Sequence, residues 1–351
     1  MKTYDAILVG AGIIGLSLAI ELRKCGLSVL LLDKAEPGRE ASWAAGGMLA
    51  DCGLEIPPAL QDLATASARV YPEFVHELQD ESGLRIDLRD QGTLLFLDAP
   101  AHDSFRDSHA LPASLQEMEP AISATQTPLY LRERCVDPRD LAAAAIAAAR
   151  HRGVDFSSGD RVSAIDVAHG QVSGVTTEKT RFSGAVVINC AGAWAGQMGP
   201  HRLPVRPVKG QMLSVLVPGK NLVRHVLRTP DVYLIPRSDG RLLIGATLEE
   251  AGFDKKTVPE TLQELRHAAL ELVPELRNAK ILEAWAGLRP ATPDALPILG
   301  ETGTPGYFVA TGHFRDGILL APITAKVMTK VVMGAKPGFD LVAFSASRFD
   351  V

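Results

Sequence analysis

The first part of the chain alternates between short apolar runs and a helical spacing of apolar residues. Residues 4–9 form a largely apolar run that ends at Gly10, and a second run over residues 28–32 ends at Asp33. Between them, residues 13–25 carry apolar side chains three or four positions apart. The order strand, glycine turn, helix, strand predicts a βαβ unit whose parallel strands are buried on both faces.

Helical and strand-like patterns continue to alternate along the rest of the chain. A helix is expected from Pro57 to about Gln79, and Asp137 followed by Pro138 is typical of a helix N-cap and first turn. This alternation predicts domains that interleave in sequence. Further predicted elements are helices over residues 141–150, 261–273 and 317–333, and strands over residues 161–167, 171–176, 185–188, 211–217, 232–235, 242–244 and 307–310.

The composition describes a mildly acidic chain with enough apolar residues for a large core. Of 351 residues 46% are hydrophobic, and 36 Lys plus Arg stand against 41 Asp plus Glu, for a formal net charge of −5. This balance argues against a nucleic-acid partner, because neutralising phosphates requires a surplus of basic residues. The uncharged stretch over residues 6–20 is too short to span a bilayer. We therefore expect a cytoplasmic protein with no membrane or nucleic-acid partner.

The cysteines do not form a recognisable motif. Cys25, Cys52, Cys135 and Cys190 lie far apart, without the CxxC or Cys/His spacing of a zinc site. The sequence also lacks a P-loop and a Ser/His/Asp arrangement. We expect reduced thiols and no metal.

Glycines cluster at the turn of the predicted βαβ unit. Gly10, Gly12 and Gly15 form a GxGxxG motif, and Asp33 follows at the end of the next predicted strand. Such glycines let the backbone approach a pyrophosphate at the helix N-terminus, and the acid accepts a hydrogen bond from a ribose hydroxyl. The pattern predicts a bound dinucleotide. It leaves NAD and FAD open, and the buried strand that runs into residues 189–194 favours FAD.

Several longer segments carry a specific resemblance. In chain order they are residues 42–49 (SWAAGGML), 209–211 (KGQ), 232–237 (VYLIPR), 285–290 (WAGLRP, followed by Asp294, Pro297 and Gly300) and 312–322 (GHFRDGILLAP). The chain thereby resembles the glycine oxidases of thiamine biosynthesis, within the FAD-dependent D-amino-acid oxidase family. The resemblance implies an α/β fold in which a Rossmann-type FAD-binding domain is interleaved with an antiparallel-sheet substrate domain. The expected ranges are 1–80, 137–205 and 300–351 for FAD binding, and 81–136 and 206–299 for substrate binding.

The resemblance also assigns the substrate contacts. It implies that Arg289 anchors the substrate carboxylate, that Tyr233 adds a hydroxyl hydrogen bond and that Arg315 is a second contact. Because Arg289 precedes Pro290, its backbone favours an extended conformation that can hold a guanidinium rigidly for a bidentate pair. No residue is expected to act as catalytic acid or base, since orientation of the substrate toward the flavin is sufficient.

The cofactor contacts follow from the glycine motif and the resemblance together. Residues 317–319 are expected to begin a helix whose free N–H groups face the pyrimidine edge of the flavin. Sarcosine oxidases attach flavin through a late cysteine, and since no cysteine follows Cys190 here, non-covalent FAD is expected. The predicted FAD contacts are Gly10, Gly12, Ile13, Ile14, Gly15, Asp33, Lys34, Ala41, Ser42, Gly46, Gly47, Met48, Val162, Ala191, Gly192, Trp194, His313, Phe314, Arg315, Asp316, Gly317, Ile318 and Leu319.

The expected activity is oxidation of glycine, sarcosine or a small D-amino acid by FAD and O₂, with hydrogen peroxide as a product. Leu248 and Asp231 differ from the residues common at these positions in glycine oxidases, which leaves the preferred amine open. A flavin dehydrogenase that reduces a quinone or carrier, a non-catalytic flavoprotein and an NAD-dependent dehydrogenase stay as alternatives. The sequence does not define the oligomeric state, and a homo-oligomer is compatible with it.

Overall fold

The computed structural model describes residues 3–52, 56–97, 108–124, 126–217 and 222–349. The outermost residues of the predicted FAD-binding ranges, 1–2 and 350–351, lie outside the described residues. So do residues 98–107, 125 and 218–221 of the predicted substrate-binding ranges.

The described residues form helices and strands in alternation. The helices are α1 (Ile13–Lys24), α2 (Ala41–Ala44), α3 (Gln61–Ser82), α4 (Leu115–Met118), α5 (Pro138–His151), α6 (Pro259–Leu272) and α7 (Gly317–Val332). The strands are β1 (Thr3–Val9), β2 (Val29–Asp33), β3 (Met48–Leu49), β4 (Leu88–Arg89), β5 (Thr93–Leu95), β6 (Leu129–Leu131), β7 (Arg134–Val136), β8 (Asp155–Ser158), β9 (Val162–Ala168), β10 (Gln171–Thr177), β11 (Arg181–Asn189), β12 (Arg206–Leu216), β13 (Val226–Arg228), β14 (Tyr233–Pro236), β15 (Arg241–Gly245), β16 (Lys280–Ala291), β17 (Ile298–Glu301) and β18 (Tyr307–Thr311).

The first sheet is built around β1. Its strand order is β17-β18-β11-β1-β2-β8, and β10 and β9 extend it beside β11. Strands β18, β11, β1, β2 and β8 run parallel, while β17 is antiparallel to β18. Helices α1, α3, α5 and α7 pack on one another around a shared apolar core with residues of this sheet, among them Leu8 and Leu31. The central strands β1 and β2 are largely apolar, as is typical of buried parallel strands.

The second sheet has the order β16-β12-β15-β14-β13-β5-β6. Its neighbours are antiparallel except for β13 and β5, which run parallel. Helix α6 packs against β12 and β15 through a separate apolar cluster. Strands β3, β7 and β4 form a small third sheet. The strands of the two large sheets alternate along the chain, so the predicted α/β architecture with an interleaved antiparallel sheet is confirmed, whereas the exact domain boundaries stay a prediction.

Most predicted elements are confirmed, with shifted ends. The carboxylate of Asp137 accepts the backbone N–H of Arg139 at 2.9 Å, as an N-cap does. The helix expected from Pro57 begins instead with a 3₁₀ turn over Pro58–Leu60, before α3. The full length of β16 was not predicted, because its outer end exposes the apolar Ile281 and lacks a regular alternation.

Candidate active site

A cavity of about 540 Å³ is lined by residues from both large sheets. Its walls include the turn after β1, the segment around α2 and the start of α7. Its volume lies in the range typical of small-molecule sites. Each strand from β12 to β16 also contributes to the wall, for example through Gly210, Arg228, Tyr233, Gly245 and Arg289.

The glycine turn and Asp33 form one end of this cavity. Gly10 and Gly12 line the wall beside Asp33. The two carboxylate oxygens of Asp33 accept the N–H of Ala11 at 2.8 Å and the N–H of Ala35 at 2.9 Å. Burial raises the pKa of Asp33, and these hydrogen bonds oppose the rise. The carboxylate therefore holds the turn in place while it borders the cavity.

The start of α1 depends on contacts that the motif alone does not reveal. The hydroxyl of Ser42 accepts the N–H of Ile13 at 2.9 Å and so caps a helix whose N-cap, Gly12, has no side chain. Gly15 was predicted to contact FAD, but it does not line the cavity. A Cβ at this position would overlap the carbonyl oxygen of Gly10, so the third glycine of the motif permits close packing of α1 against the turn.

Charged and aromatic side chains border the same end. The Lys34 ammonium lies 3.1 Å from the centroid of the Trp194 ring and 3.3 Å from the Glu40 carboxylate. Burial lowers the pKa of Lys34, and Glu40 opposes that effect. On the indole, Phe253 packs with its ring centroid 5.3 Å away. These contacts fix the indole of Trp194 at the cavity wall.

Helix α7 begins at the cavity and is held from behind by α3. Gly317 and Ile318 line the cavity. The hydroxyl groups of Tyr71 and Ser67 donate to the carbonyl oxygens of Ile318 and Leu319, at 3.1 and 2.6 Å. Leu319 was predicted to contact FAD, but it does not line the cavity, because its side chain is buried in the apolar core.

His313 is a buried and neutral residue of the cavity wall. Its Nε2 lies 3.1 Å from the Thr324 hydroxyl. Burial lowers the pKa of His313 to about 3. The ring is therefore uncharged near neutral pH, which agrees with a site that assigns no proton transfer to this residue.

Arg289 lies on β16 with its guanidinium against the neighbouring strand. Its Nη1 donates to the carbonyl oxygen of Thr247 at 3.1 Å and is 3.4 Å from that of Lys209. A Cβ at Gly210 would overlap the guanidinium. The bare backbone of β12 thus makes room for Arg289, and the carbonyl contacts fix one side of the fork so that the other can face a ligand.

Tyr233 lies close to three arginines of the site. Its hydroxyl lies 3.6 Å from the Met212 sulfur. Burial raises the pKa of Tyr233, while the guanidinium groups of Arg289, Arg315 and Arg228 lower it. The phenol is therefore neutral and can donate a hydrogen bond in a strongly cationic surrounding.

Other predicted positions also reach the cavity. Leu248, which is 56% exposed, and Asp231 line its wall. Arg228 and Thr247 were not predicted, because neither belongs to a motif. The register of β13 beside β14 brings Arg228 to the site, and Thr247 follows shortly after the end of β15. Apart from Gly15 and Leu319, all predicted residues line this cavity, namely Gly10, Gly12, Ile13, Ile14, Asp33, Lys34, Ala41, Ser42, Gly46, Gly47, Met48, Val162, Ala191, Gly192, Trp194, Tyr233, Arg289, His313, Phe314, Arg315, Asp316, Gly317 and Ile318.

The cavity wall fits a dinucleotide. Helices α1 and α7 both begin at the cavity, so the positive ends of two helix dipoles border one space. Glycine backbone lines it at Gly10, Gly46 and Gly192. These features suit a pyrophosphate and an anionic ring edge.

The comparisons with known proteins agree with this geometry. Residues 5–331 match the family model described as FAD dependent oxidoreductase (DAO). The chain belongs to this family. It is an FAD-dependent oxidoreductase, which decides between the two dinucleotides that the glycine motif left open.

Individual relatives extend over nearly the whole chain. A glycine oxidase of Pseudomonas aeruginosa is 34% identical, with 95% of this chain and 96% of the relative covered. A hydrogen cyanide synthase subunit HcnC of the same species is 33% identical, with 99% and 97% covered. A bifunctional protein ThiO/ThiG of Trichormus variabilis is 35% identical over 99% of this chain, which spans only 55% of that relative. The chain thus covers about half the length of the bifunctional relatives that it matches.

A solved structure shows the same fold. The crystal structure of glycine oxidase from Geobacillus kaustophilus superposes with a TM-score of 0.92 at 32% identity, covering 99% of both chains.

Two kinds of feature are absent from the described residues. No helix among them is long and apolar enough to cross a membrane. Within the same part of the chain, no group of His, Cys, Asp and Glu is arranged to hold a metal ion.

Proposed function

We propose that this protein oxidises the amine of glycine, sarcosine or a small D-amino acid, with O₂ as the final acceptor. The observation that carries the proposal is the meeting of Arg289 and Tyr233 in the cavity where α1 and α7 begin. FAD, when bound, supplies the acceptor for a hydride from the substrate α-carbon and passes the electrons to O₂, which gives hydrogen peroxide.

The residues of the chain act by orientation. Arg289 presents the free side of its guanidinium to the substrate carboxylate, and Tyr233 donates its hydroxyl to the same group. Arg315 adds a further positive charge at this end of the cavity. With the carboxylate fixed at one end, the α-carbon has a defined direction, and such positioning lowers the barrier without an acid or base.

The neutral state of His313 supports this scheme. A buried ring that stays uncharged above about pH 3 adds no positive charge to those of the arginines and has no proton to give near neutral pH. We therefore assign His313 a place in the wall and no proton transfer.

A peroxide-coupled screen tests the proposal. The purified FAD-loaded protein is mixed with glycine, sarcosine and D-alanine, while the visible spectrum of the flavin is recorded on the same sample. Peroxide formation with at least one amine is expected. Reduction of the flavin by an amine without peroxide formation would indicate a dehydrogenase, and no reduction by any of the amines would refute the proposal.

A second product is tested in parallel. The relative named as a hydrogen cyanide synthase subunit is 33% identical over nearly the full chain. Cyanide is therefore a second candidate product of amine oxidation by this protein. Assaying cyanide beside peroxide, with glycine as the amine, separates the two reactions.

The mode of FAD attachment and the location of the protein stay proposals. Cys52 and Cys190 line the cavity, so the expectation of non-covalent FAD needs its own test. Release of all flavin into the supernatant after acid precipitation is expected. A cytoplasmic location and the oligomeric state are to be tested by cell fractionation and by light scattering.

A further inference from the structure

The KGQ segment of β12 lies beside Arg289. Its middle residue, Gly210, leaves room for the guanidinium, since a Cβ there would overlap it. Successive residues of a strand point to opposite faces of the sheet, so Lys209 and Gln211 project from the other face. Both residues are buried, with 2% and 0% of their surface exposed, and neither lines the cavity. The segment therefore places two polar side chains outside the cavity, close behind its wall.

The chain that pairs with this segment contains one extra residue. Three residues lie between Gly245, the last residue of β15, and Glu249, which also pairs with β12, whereas only two residues of β12 lie between their partners. This is the arrangement of a β-bulge, which changes the direction of the groups that it carries. The carbonyl oxygen of Thr247, within the bulge, accepts the Nη1 of Arg289 at 3.1 Å. The bulge thus supplies a contact that holds the guanidinium.

Glu249 connects the bulge to the two buried side chains. One oxygen of its carboxylate accepts the Thr247 hydroxyl and also the Gln211 amide, the latter at 2.8 Å, while the other lies 3.4 Å from the Lys209 ammonium. The Thr247 hydroxyl in turn accepts the backbone N–H of Gln211 at 2.8 Å. Burial alone would raise the pKa of Glu249, but these hydrogen bonds and the charge of Lys209 hold it below its ordinary value. Glu249 is therefore ionised near neutral pH and keeps Thr247 in one orientation.

Gln211 also holds the chain that follows the bulge. Its side-chain oxygen accepts the N–H of Val258, the residue before α6, at 2.6 Å. Phe253, which lies between Glu249 and Val258, packs on Trp194 in the cavity wall. One buried amide thus fixes residues 249–258 at both ends.

A buried ammonium is costly unless it is paired, and an apolar pair of similar size is often at least as stable. Stability alone therefore does not explain the ionic contact of Lys209 with Glu249. What the contact adds is a defined position for the bulge beside Arg289.

We propose that Lys209, Gln211 and Glu249 are positioning residues for the substrate: from outside the cavity they fix the bulge at Thr247, and through it the direction in which Arg289 presents its guanidinium to a carboxylate. The inference rests on the proposed function for the role of Arg289 as the carboxylate anchor.

Binding of an unreactive acid tests the proposal without turnover. Acetate has the carboxylate of glycine but no amine to oxidise. It is titrated into the FAD-loaded protein at constant ionic strength, and binding is followed by the visible spectrum of the flavin. Glu249→Ala removes the carboxylate that holds Thr247, so we expect the Kd of acetate to rise about tenfold, or about 1.4 kcal/mol, at unchanged FAD content.

Two further variants distinguish this effect from a general loss of stability. Glu249→Ala leaves the buried Lys209 ammonium without its carboxylate and risks misfolding, so Lys209→Met/Glu249→Ala provides a second version with neither charge. It should show the same loss of acetate affinity. Glu250→Ala is the matched control, because this exposed neighbour pairs only with Arg206 at the surface, at 2.7 Å, and it should bind acetate like the unmodified protein.

A double-mutant cycle separates positioning from a merely structural role. If Glu249 acts through Arg289, Glu249→Ala should lower kcat/KM for glycine or D-alanine about tenfold in the unmodified protein, but less than about twofold in the Arg289→Gln background. Equal losses in both backgrounds would overturn the proposal, as would acetate binding in Glu249→Ala as tight as in the unmodified protein.

Failure of the proposed function gives a different result. Weaker acetate binding by Glu249→Ala, in a protein that oxidises none of the amines, would refute the proposed reaction and leave the positioning role standing. No binding of acetate by the unmodified protein would refute the carboxylate site, and the positioning role with it.

Discussion

The two ends of the cavity differ in the groups that line them. At the predicted dinucleotide end, the glycine turn, the start of α1 and the start of α7 contribute backbone to the wall, beside side chains such as those of Asp33, Lys34 and Trp194. At the proposed substrate end, charged and phenolic side chains of β13, β14 and β16 line the wall. The first end thus depends mainly on backbone conformation, and the second depends on side chains.

Because of this difference, we expect mutations at the two ends to have different effects. A change at the substrate end removes one contact and leaves the fold intact, because the strands keep their register. A change at the dinucleotide end alters the packing of a helix on a turn, so it affects stability and FAD binding together. Variants at the two ends should therefore show opposite combinations of FAD content and catalytic efficiency.

The largest effect is expected from Arg289→Gln. Loss of the anchor for the substrate carboxylate should lower kcat/KM for glycine or D-alanine by about 10²- to 10³-fold, since truncating one member of a desolvated charge pair costs about 2–5 kcal/mol. Steady-state peroxide assays measure this, and FAD content should be unchanged. Arg289→Lys should recover little, because an ammonium cannot form the two-pronged contact. Unaltered kinetics in Arg289→Gln would show that the carboxylate binds elsewhere.

Gly15→Ala should show the opposite pattern, a loss of FAD content without a loss of substrate binding. The new Cβ would overlap the Gly10 carbonyl, and overpacking of this kind costs about 1–3 kcal/mol. We expect a lower melting temperature and loss of FAD on gel filtration, while any molecules that keep FAD retain their KM. Gly303→Ala, whose new Cβ would lie 3.8 Å from its nearest neighbour, His201, is the control. Full FAD content in Gly15→Ala would contradict the backbone role of this end.

A smaller change is expected from Tyr233→Phe. The ring keeps its packing and only the hydroxyl is lost, so kcat/KM should fall by about tenfold, as for one hydrogen bond to a charged group. FAD binding and thermal stability should stay the same. An effect as large as that of Arg289→Gln would mean that the hydroxyl does more than bind the carboxylate.

The smallest effect concerns pH. Because the pKa of His313 is lowered to about 3, the ring is neutral across the working range, and His313→Gln should leave the inflections of the kcat/KM profile between about pH 5 and 9 unchanged. In the folded state the neutral form is favoured, so the contribution of His313 to stability is present above pH 6.5 and is lost as the pH falls toward 3. When the pH is lowered from 7 to 4, the melting temperature of the unmodified protein should accordingly fall more than that of His313→Gln.

The same contrast explains what could be predicted from the sequence. The glycine turn and Asp33 are recognisable because a tight turn needs specific residues within one short segment. Arg289 and Tyr233 were found through resemblance, since nothing in their local pattern distinguishes a ligand contact from a structural ion pair or a packed ring.

Other features required the structure. Arg228 lies outside every motif, and only the register of β13 beside β14 and β5 brings it to the cavity. Gly15 and Leu319 do not line the cavity, so their contact with FAD stays a prediction, because a motif defines a turn or a helix start without showing which of its residues face the ligand.

The position of β1 at the centre of the first sheet has a consequence for the synthesis of the protein. Its partner β11 follows it by more than 170 residues, and β18, which completes the parallel core, ends at Thr311. At about 5–20 residues per second, the ribosome needs roughly 15 to 60 s between β1 and β18. One edge of β1 lacks its native neighbour until β11 has emerged, and one edge of β11 lacks its neighbour until β18 has emerged, so we expect nascent chains to expose an unpaired strand edge throughout this interval.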